Sequence, residues 1–320
     1  MSLKDLIQSL DYQKEGLVVL ESAQIKALHK ALLQMLQDFN DLCHAYDIGW
    51  CLAGGSMLGA VRNGNFIAWD DDVDIHMTRP EFERLRSLLT RQTDYCVTSP
   101  NSLLTSFLQK YFLCCPGDQG YLYHYPKIFL KNSVFREIQS CESMPDQLFM
   151  DIFILEDTYD SPVLNQIHGV LCSFYLLVVS AIRTKKCATN LLYYSHSSPA
   201  ARKAIKLRAF LGGILSFRSA EHWLKDADAC FSRARNHNSK ELCIPTGVKH
   251  FYGERYKRGL FSAFFPVKFA GLQLPVPVQA EEILRQRYGE NYMEEPPQSE
   301  QVRHALIELK LPDIHEIASR

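Results

Sequence analysis

The sequence predicts an α/β (α+β) protein, with a small mixed sheet flanked by helices and a largely helical C-terminal part. Two observations support this fold class. In the first 160 residues, helical periodicity alternates with short apolar runs, whereas helical patterns dominate beyond Asp160. The chain has 320 residues, 47% of them hydrophobic, which is enough for a full core. We therefore predict an α/β core at residues 1–160 and a helical region at 161–320.

The elements of the core alternate between helix and strand. Their predicted order is a helix over residues 22–46, a strand over 48–53, a helix over 56–62, a strand over 71–77, a further helix, and strands over 125–130 and 148–155. Apolar residues in the first segment recur at spacings of three and four, as on one face of a helix. Asn63-Gly64 is a helix-ending signal. This order is typical of a domain that packs helices on a sheet.

An acidic segment enters the strand predicted at 71–77. Residues 69–76 read Trp-Asp-Asp-Asp-Val-Asp-Ile-His. Two faces alternate along it, Val73, Ile75 and Met77 on one and Asp72, Asp74 and His76 on the other. Carboxylates on a half-buried strand need a compensating charge, and Mg²⁺ is commonly held by one or two carboxylates plus substrate phosphates. The pattern therefore predicts metal ligands at Asp72 and Asp74. His76 either lines the same site or is an ordinary polar strand residue.

A third aspartate interrupts a later apolar strand. Asp151 is the only charge between Phe149 and Leu155, and buried carboxylates are rare unless they are paired or bind a metal. If this strand lies beside the acidic strand, Asp151 joins Asp72 and Asp74. We therefore predict that these three aspartates are catalytic and hold Mg²⁺, with Mn²⁺ as the alternative ion.

A glycine-rich turn precedes the acidic segment. Gly54, Gly55 and Ser56 stand where a strand leads into a helix. Glycines let backbone approach a phosphate closely, and a helix N-terminus offers N–H groups to it. Arg62, about two turns along, is placed to add a bidentate phosphate contact. Together with the aspartates, this turn predicts a metal-dependent phosphoryl or nucleotidyl transfer site.

The amino-acid composition indicates which partners and which cellular compartment are expected. The formal net charge of −1 gives no electrostatic reason to expect nucleic acid as a partner. The ten cysteines form no CxxC pair, and the first residues lack a basic stretch followed by an apolar one. These features favour free thiols in a reducing cytoplasm.

Two segments raise the question of membrane contact. Residues 169–182 are nearly all apolar, but a bilayer span needs about 20 such residues. A buried core helix is the favoured interpretation. A basic stretch, formed by Arg202, Lys203, Lys206 and Arg208, precedes the apolar residues 210–217. A solvated helix face is favoured there, and peripheral contact with the inner membrane face is the alternative for both segments.

The motif around the glycines and aspartates resembles the signature of the LicD family, which comprises phosphocholine transferases and relatives that include the fukutin-related proteins. Residues 54–75 read Gly-Gly-Ser-Met-Leu-Gly-Ala-Val-Arg-Asn-Gly-Asn-Phe-Ile-Ala-Trp-Asp-Asp-Asp-Val-Asp-Ile. The chain departs from the usual pattern at Asn65 and Ala68, neither of which is a proposed ligand. Supporting similarities are Tyr125-Pro126-Lys127-Ile128, residues 287–293, Pro296-Pro297 and His304.

The resemblance implies a nucleotidyltransferase-like fold, with a catalytic core at residues 1–160 and a helical region at 161–320 that completes the substrate site. It also implies transfer of a phosphorylated small alcohol, such as phosphocholine, from a CDP-linked donor to a glycan of lipopolysaccharide or teichoic acid, with release of CMP. Carried over by position, Asp72, Asp74 and Asp151 would be the metal ligands. Our own hypothesis is a direct attack of a glycan hydroxyl on the donor phosphorus, with Asp151 as the candidate base. The residues expected to contact substrate are Gly55, Ser56, Arg62, Asp70 and Lys127.

Two other functions fit parts of the sequence. Many glycosyltransferases also use an Asp-x-Asp strand to hold a nucleotide-sugar through a metal, although the upstream Gly-Gly-Ser turn argues against this class. A non-catalytic binding protein on the same fold is the second alternative, and the presence of all three candidate ligands makes it the weaker one. A screen that compares CDP-alcohols with UDP-sugars as donors distinguishes a glycosyltransferase from the activity of the family. Metal-dependent nucleotide binding tests the non-catalytic alternative.

Overall fold

A computed structural model of the protein describes Ile7 and residues 10–91, 102–235, 238–297, 301 and 303–312. The helices in these ranges are α1 Tyr12–Glu15, α2 Ser22–Ala45, α3 Gly54–Asn63, α4 Arg79–Arg91, α5 Leu103–Lys110, α6 Pro162–Lys186, α7 Ala188–Tyr193, α8 Pro199–Ile214, α9 Ala220–Phe231, α10 His250–Gly253 and α11 Ala280–Tyr288. The strands are β1 Cys51–Leu52, β2 Asp74–Thr78, β3 Tyr111–Cys114, β4 Lys127–Leu130, β5 Val134–Glu137, β6 Phe149–Asp157, β7 Glu241–Cys243, β8 Arg255–Lys257, β9 Phe264–Phe269, β10 Leu272–Pro277 and β11 Leu306–Lys310.

The largest sheet has mixed topology. Its strands follow the order β1-β2-β6-β4-β3, and β7 and β8 extend it from the C-terminal end of β6. Strands β2 and β6 are parallel, whereas the other neighbouring pairs are antiparallel. Helices α2 and α4 pack against β6, the first eight residues of which are all buried. The predicted mixed sheet flanked by helices is confirmed.

Two boundaries near the acidic segment differ from the prediction. Strand β2 begins at Asp74 rather than at residue 71, although the Val73 carbonyl still accepts a hydrogen bond from the Asp151 N–H. The carboxylate of Asp71 binds His304 outside the sheet. Residues 71–73 are therefore not part of strand β2. Helix α3 begins at Gly54, which places both glycines inside its first turn.

The C-terminal half contains strands as well as the predicted helices. Helices α6 to α9 occupy most of residues 162–231, but strands return from Glu241 onward. Strands β9 and β10 form a hairpin, and β11 pairs with β5 of the core. Strands β7 and β8 have only three residues each, which is too short for the alternation of apolar and polar residues by which strands are recognised. Prolines interrupt this alternation in the hairpin of β9 and β10. The division near residue 160 stays a prediction.

Candidate active site

Three aspartates meet where β2 and β6 run side by side. Asp74 lies directly opposite Asp151 in this parallel pair, and paired residues of neighbouring strands point to the same face of a sheet. Asp72 precedes Asp74 by two residues and so reaches the same side. One carboxylate oxygen from each of the three lies within 4.8 Å of the other two. The two strands are therefore neighbours, as the sequence analysis required.

The three carboxylates are at least partly buried and repel one another. Burial, followed by the charges of Asp72 and Asp151, holds the pKa of Asp74 well above its usual range. Burial likewise raises the pKa of Asp72 to about 6, although the nearby His304 opposes the shift. A hard divalent cation would remove this repulsion, and carboxylate oxygens are the ligands that Mg²⁺ takes in proteins. The chemistry of this donor set therefore fits Mg²⁺, with Mn²⁺ as the alternative.

Lys127 is the buried counter-charge of Asp151. The two residues are paired across the antiparallel strands β4 and β6, and the Lys127 ammonium lies 2.8 Å from Oδ1 of Asp151. The side chain is 1% exposed, and its ammonium lies 3.2 Å from the ring centroid of Phe149 and 4.2 Å from that of Tyr123. The Lys127 ammonium thus fixes the position of the Asp151 carboxylate. Its role as a substrate contact stays a prediction.

The glycine turn lies directly against the carboxylates. Gly54 has φ +49°, and a Cβ built on it would overlap the Asp74 carboxylate. A Cβ on Gly55 would lie 2.7 Å from Oδ2 of Asp70. The Ser56 hydroxyl accepts a hydrogen bond of 3.1 Å from the Asp74 N–H. The glycines therefore bring the N-terminus of α3 next to the acidic cluster. The phosphate contacts of Gly55 and Ser56 stay a prediction.

We expect Gly54→Ala to weaken Mn²⁺ binding by about 10–100-fold, the usual range when support for a metal ligand is lost. The added methyl must displace the Asp74 carboxylate, and alanine is strained at a positive φ. Manganese titration followed by electron paramagnetic resonance measures the effect. Gly213→Ala is the matched control, because Gly213 lies in α8 with open space around it. Equal affinity in both variants would refute the close approach.

Arg62 lies in the last turn of α3 and has unpaired donors among the described residues. Its Nη1 lies 3.4 Å from the Glu294 carbonyl oxygen, and its guanidinium carbon lies 6.0 Å from the Trp69 ring centroid. Nε and Nη2 are shielded from solvent and have no hydrogen-bond partner among the described residues. Buried donors are normally satisfied, and a guanidinium is well suited to a phosphate. The phosphate contact of Arg62 stays a prediction.

Asp70 is a fourth carboxylate of the cluster. Burial, reinforced by the charges of Asp72 and Asp74, holds its pKa well above the usual range. Its backbone carbonyl lies 2.7 Å from Nε2 of His29, which fixes the residue next to Gly55.

By contrast, His76 is 3% exposed and packs edge-on against the rings of Phe153 and Phe261, so it is a core residue.

The role of His304 was not foreseen. Its backbone N–H donates to Oδ2 of Asp71 and its ring Nδ1 lies 2.8 Å from Oδ1, while Nε2 lies 3.8 Å from the Asp72 carboxylate and 3.9 Å from that of Glu137. Burial lowers the pKa of His304, but Asp71 and Glu137 outweigh it and hold the pKa well above its usual value. Asp71 is 2% exposed, and a buried carboxylate needs a cationic partner. This need was the only indication that a residue such as His304 would contact the acidic segment.

A second cation approaches from α11. Nη1 of Arg287 lies 2.8 Å from Oε2 of Glu254, which is fully buried. Burial raises the pKa of Asp74, and the charge of Arg287 opposes that rise. Residues from the C-terminal half, Arg287 and His304, therefore stand beside the acidic cluster and reduce its net negative charge.

Comparison with known proteins agrees with this geometry. Residues 47–159 match the model of the LicD/FKTN/FKRP nucleotidyltransferase domain, a span that contains all the predicted site residues. The lipopolysaccharide cholinephosphotransferase LicD of Haemophilus influenzae is 26% identical over 284 residues, which cover 86% of this chain and 94% of that protein. The resemblance to the LicD family that the sequence analysis identified is confirmed.

Proposed function

We propose, on the premise that residues 47–159 form a LicD family nucleotidyltransferase domain, that this protein transfers a phosphorylated small alcohol from a CDP-linked donor to a cell-surface glycan. Phosphocholine is the first candidate for the transferred group, because the matched relative is named a lipopolysaccharide cholinephosphotransferase. The observation that carries the proposal is the convergence of Asp72, Asp74 and Asp151 beside the glycine turn.

Each site residue then has a distinct task. Asp72, Asp74 and Asp151 would hold Mg²⁺, or alternatively Mn²⁺, and such an ion offsets negative charge on a diphosphate. Gly55 and Ser56, at the N-terminus of α3, bind donor phosphate through backbone N–H groups. The free guanidinium donors of Arg62 orient the same phosphates.

The reaction is a direct displacement at phosphorus. A glycan hydroxyl attacks the phosphorus that bears the alcohol, the bond to the CMP oxygen breaks, and the hydroxyl proton passes to a carboxylate. Asp151 was the candidate base, but the Lys127 ammonium occupies one of its oxygens. Asp70 has a raised pKa and lies against Gly55. We therefore assign the proton to Asp70, with Asp151 as the alternative.

The cysteines support a cytoplasmic location. The nine cysteines in the described ranges form no disulfide, and most of them are buried. Free thiols are typical of a reducing compartment. We therefore place the enzyme in the cytoplasm, with peripheral contact at the inner membrane face as the alternative.

A donor screen tests the proposal. Purified protein is incubated with Mg²⁺, lipopolysaccharide or teichoic acid acceptors, and either CDP-alcohols or UDP-sugars, and nucleotide release is followed. We expect CMP release from CDP-choline or a related CDP-alcohol, abolished by EDTA and restored by Mg²⁺. Turnover of a UDP-sugar instead would establish a glycosyltransferase. Metal-dependent binding without turnover of any donor would establish a binding protein.

A further inference from the structure

Helix α6 exposes a stripe of large apolar side chains. Its members recur at spacings of three and four and are between 48% and 69% exposed: Val163, Ile167, Val170, Phe174 and Leu177. Such spacing puts them on one side of the helix. The opposite side carries buried residues such as Cys172 and Val179. The buried-helix interpretation of residues 169–182 therefore holds for one side of α6 only.

Helix α8 and the turn after it carry a second stripe. Leu207, Phe210, Ile214 and Phe217 are 58–78% exposed. The two helices touch closely, since a Cβ on Gly212 would overlap the Ala181 carbonyl of α6.

A chain of aromatic rings links the two stripes. Its centroid separations are 5.5 Å from Phe174 to Tyr175, 6.4 Å from Tyr175 to Trp223, and 5.8 Å from Trp223 to Phe217. We call the nine exposed residues of the two stripes the α6/α8 face.

The charges within the segment that forms this face have one sign, although Arg218 pairs with Asp226 of the neighbouring helix α9. Residues 161–220 contain no Asp or Glu, and their eight basic residues are Arg183, Lys185, Lys186, Arg202, Lys203, Lys206, Arg208 and Arg218. The rest of a chain whose net charge is −1 is therefore acidic on balance. Lys203 lies one turn before Leu207 and Lys206 one turn before Phe210, and both lysines are exposed. The apolar stripe of α8 is thus continued by cationic side chains.

We propose that the α6/α8 face docks on an anionic lipid bilayer. Contiguous exposed apolar surface marks an interaction site. Helices that combine such a surface with lysines and arginines lie in the headgroup region of membranes and are attracted to anionic lipids. Half of the apolar window of α6 is buried within the protein, so the helix lies along the membrane rather than across it. A face that bound a second copy of the chain would bring its own lysines together, which charge repulsion opposes.

Vesicle sedimentation tests this docking without any donor or acceptor, so its failure is distinguishable from failure of the proposed reaction. We expect the protein to bind vesicles that contain phosphatidylglycerol and to bind pure phosphatidylcholine much less, with salt weakening the binding. Lys203→Glu with Lys206→Glu should lower the partition coefficient by roughly 25-fold or more, at about fivefold for each cation. Phe210→Ser with Phe217→Ser should lower it about tenfold, because two exposed rings no longer insert.

The matched control is Lys26→Glu with Lys30→Glu, which reverses two exposed lysines of α2 and changes the net charge by the same amount. This variant should bind vesicles like the wild type, and circular dichroism should show that all variants fold. The proposal is overturned if the wild type does not bind anionic vesicles, or if the α2 and α8 variants lose binding equally. It is also overturned if light scattering reveals a dimer that Phe210→Ser dissociates, since a second copy would then cover the face.

Discussion

Asp74→Asn is expected to lower turnover about a thousandfold or more, because a metal ligand supplies several kcal/mol to the transition state. The same substitution should stabilise the metal-free protein. Asp74 carries a pKa held well above its usual range by burial and by Asp72 and Asp151, so its ionised form is unfavourable in the folded state. An amide of the same shape removes that cost.

The stability gain should depend on pH in a defined direction. A carboxyl whose pKa is raised by folding costs nothing while it is protonated, and its cost grows as the pH rises from the unfolded value toward the raised folded value. Thermal unfolding in EDTA should therefore show Asp74→Asn and wild type alike near pH 4 and the variant more stable near pH 8. Asp41→Asn, at an exposed site on α2, should change neither property. Near-normal turnover of Asp74→Asn, or lower stability in EDTA, would contradict the assignment.

Lys127→Met is expected to lower the free energy of unfolding by about 3–5 kcal/mol, the usual cost of removing one partner from a buried ion pair. The Lys127 ammonium is enclosed by aromatic rings and faces Asp151, which is 3% exposed. Without the lysine, the Asp151 carboxylate is left buried and uncompensated. Urea unfolding at neutral pH in EDTA measures the loss.

A double-mutant cycle separates this charge effect from packing. Adding Asp151→Asn to Lys127→Met should recover most of the loss, because no unpaired charge remains. Lys257→Met is the control, since Lys257 pairs with Glu282 at 3.8 Å in an exposed position and should cost about 1 kcal/mol or less. If the double variant is as unstable as Lys127→Met alone, Lys127 acts through its methylene packing and not through its charge.

Local patterns were sufficient to predict the acidic centre. The alternation around Asp72 and Asp74 and the isolated charge of Asp151 each identify a strand residue that needs a partner. The parallel register of β2 and β6 then sets Asp74 opposite Asp151. The exact start of β2 was missed, because Asp71 turns away from the ladder to bind His304. The start of α3 was also missed, because both glycines lie inside its first turn.

The partners of these residues were not predictable from local patterns. His304 lies more than 230 positions from Asp71 in the chain, and the Arg287 approach depends on how α11 packs. The glycine turn was interpreted only as a place where backbone approaches a phosphate, whereas the missing side chain of Gly54 makes room for Asp74. The apolar run in α6 gave no indication of which side is buried, since both sides carry apolar residues.

Crystals soaked in Mn²⁺ and measured for anomalous scattering test the central claim most directly. We predict an anomalous peak about 2.1 Å from oxygens of Asp72, Asp74 and Asp151, and its loss in crystals of Asp74→Asn. A peak elsewhere, or none between these carboxylates at saturating Mn²⁺, would contradict the assignment of this cluster as the metal centre.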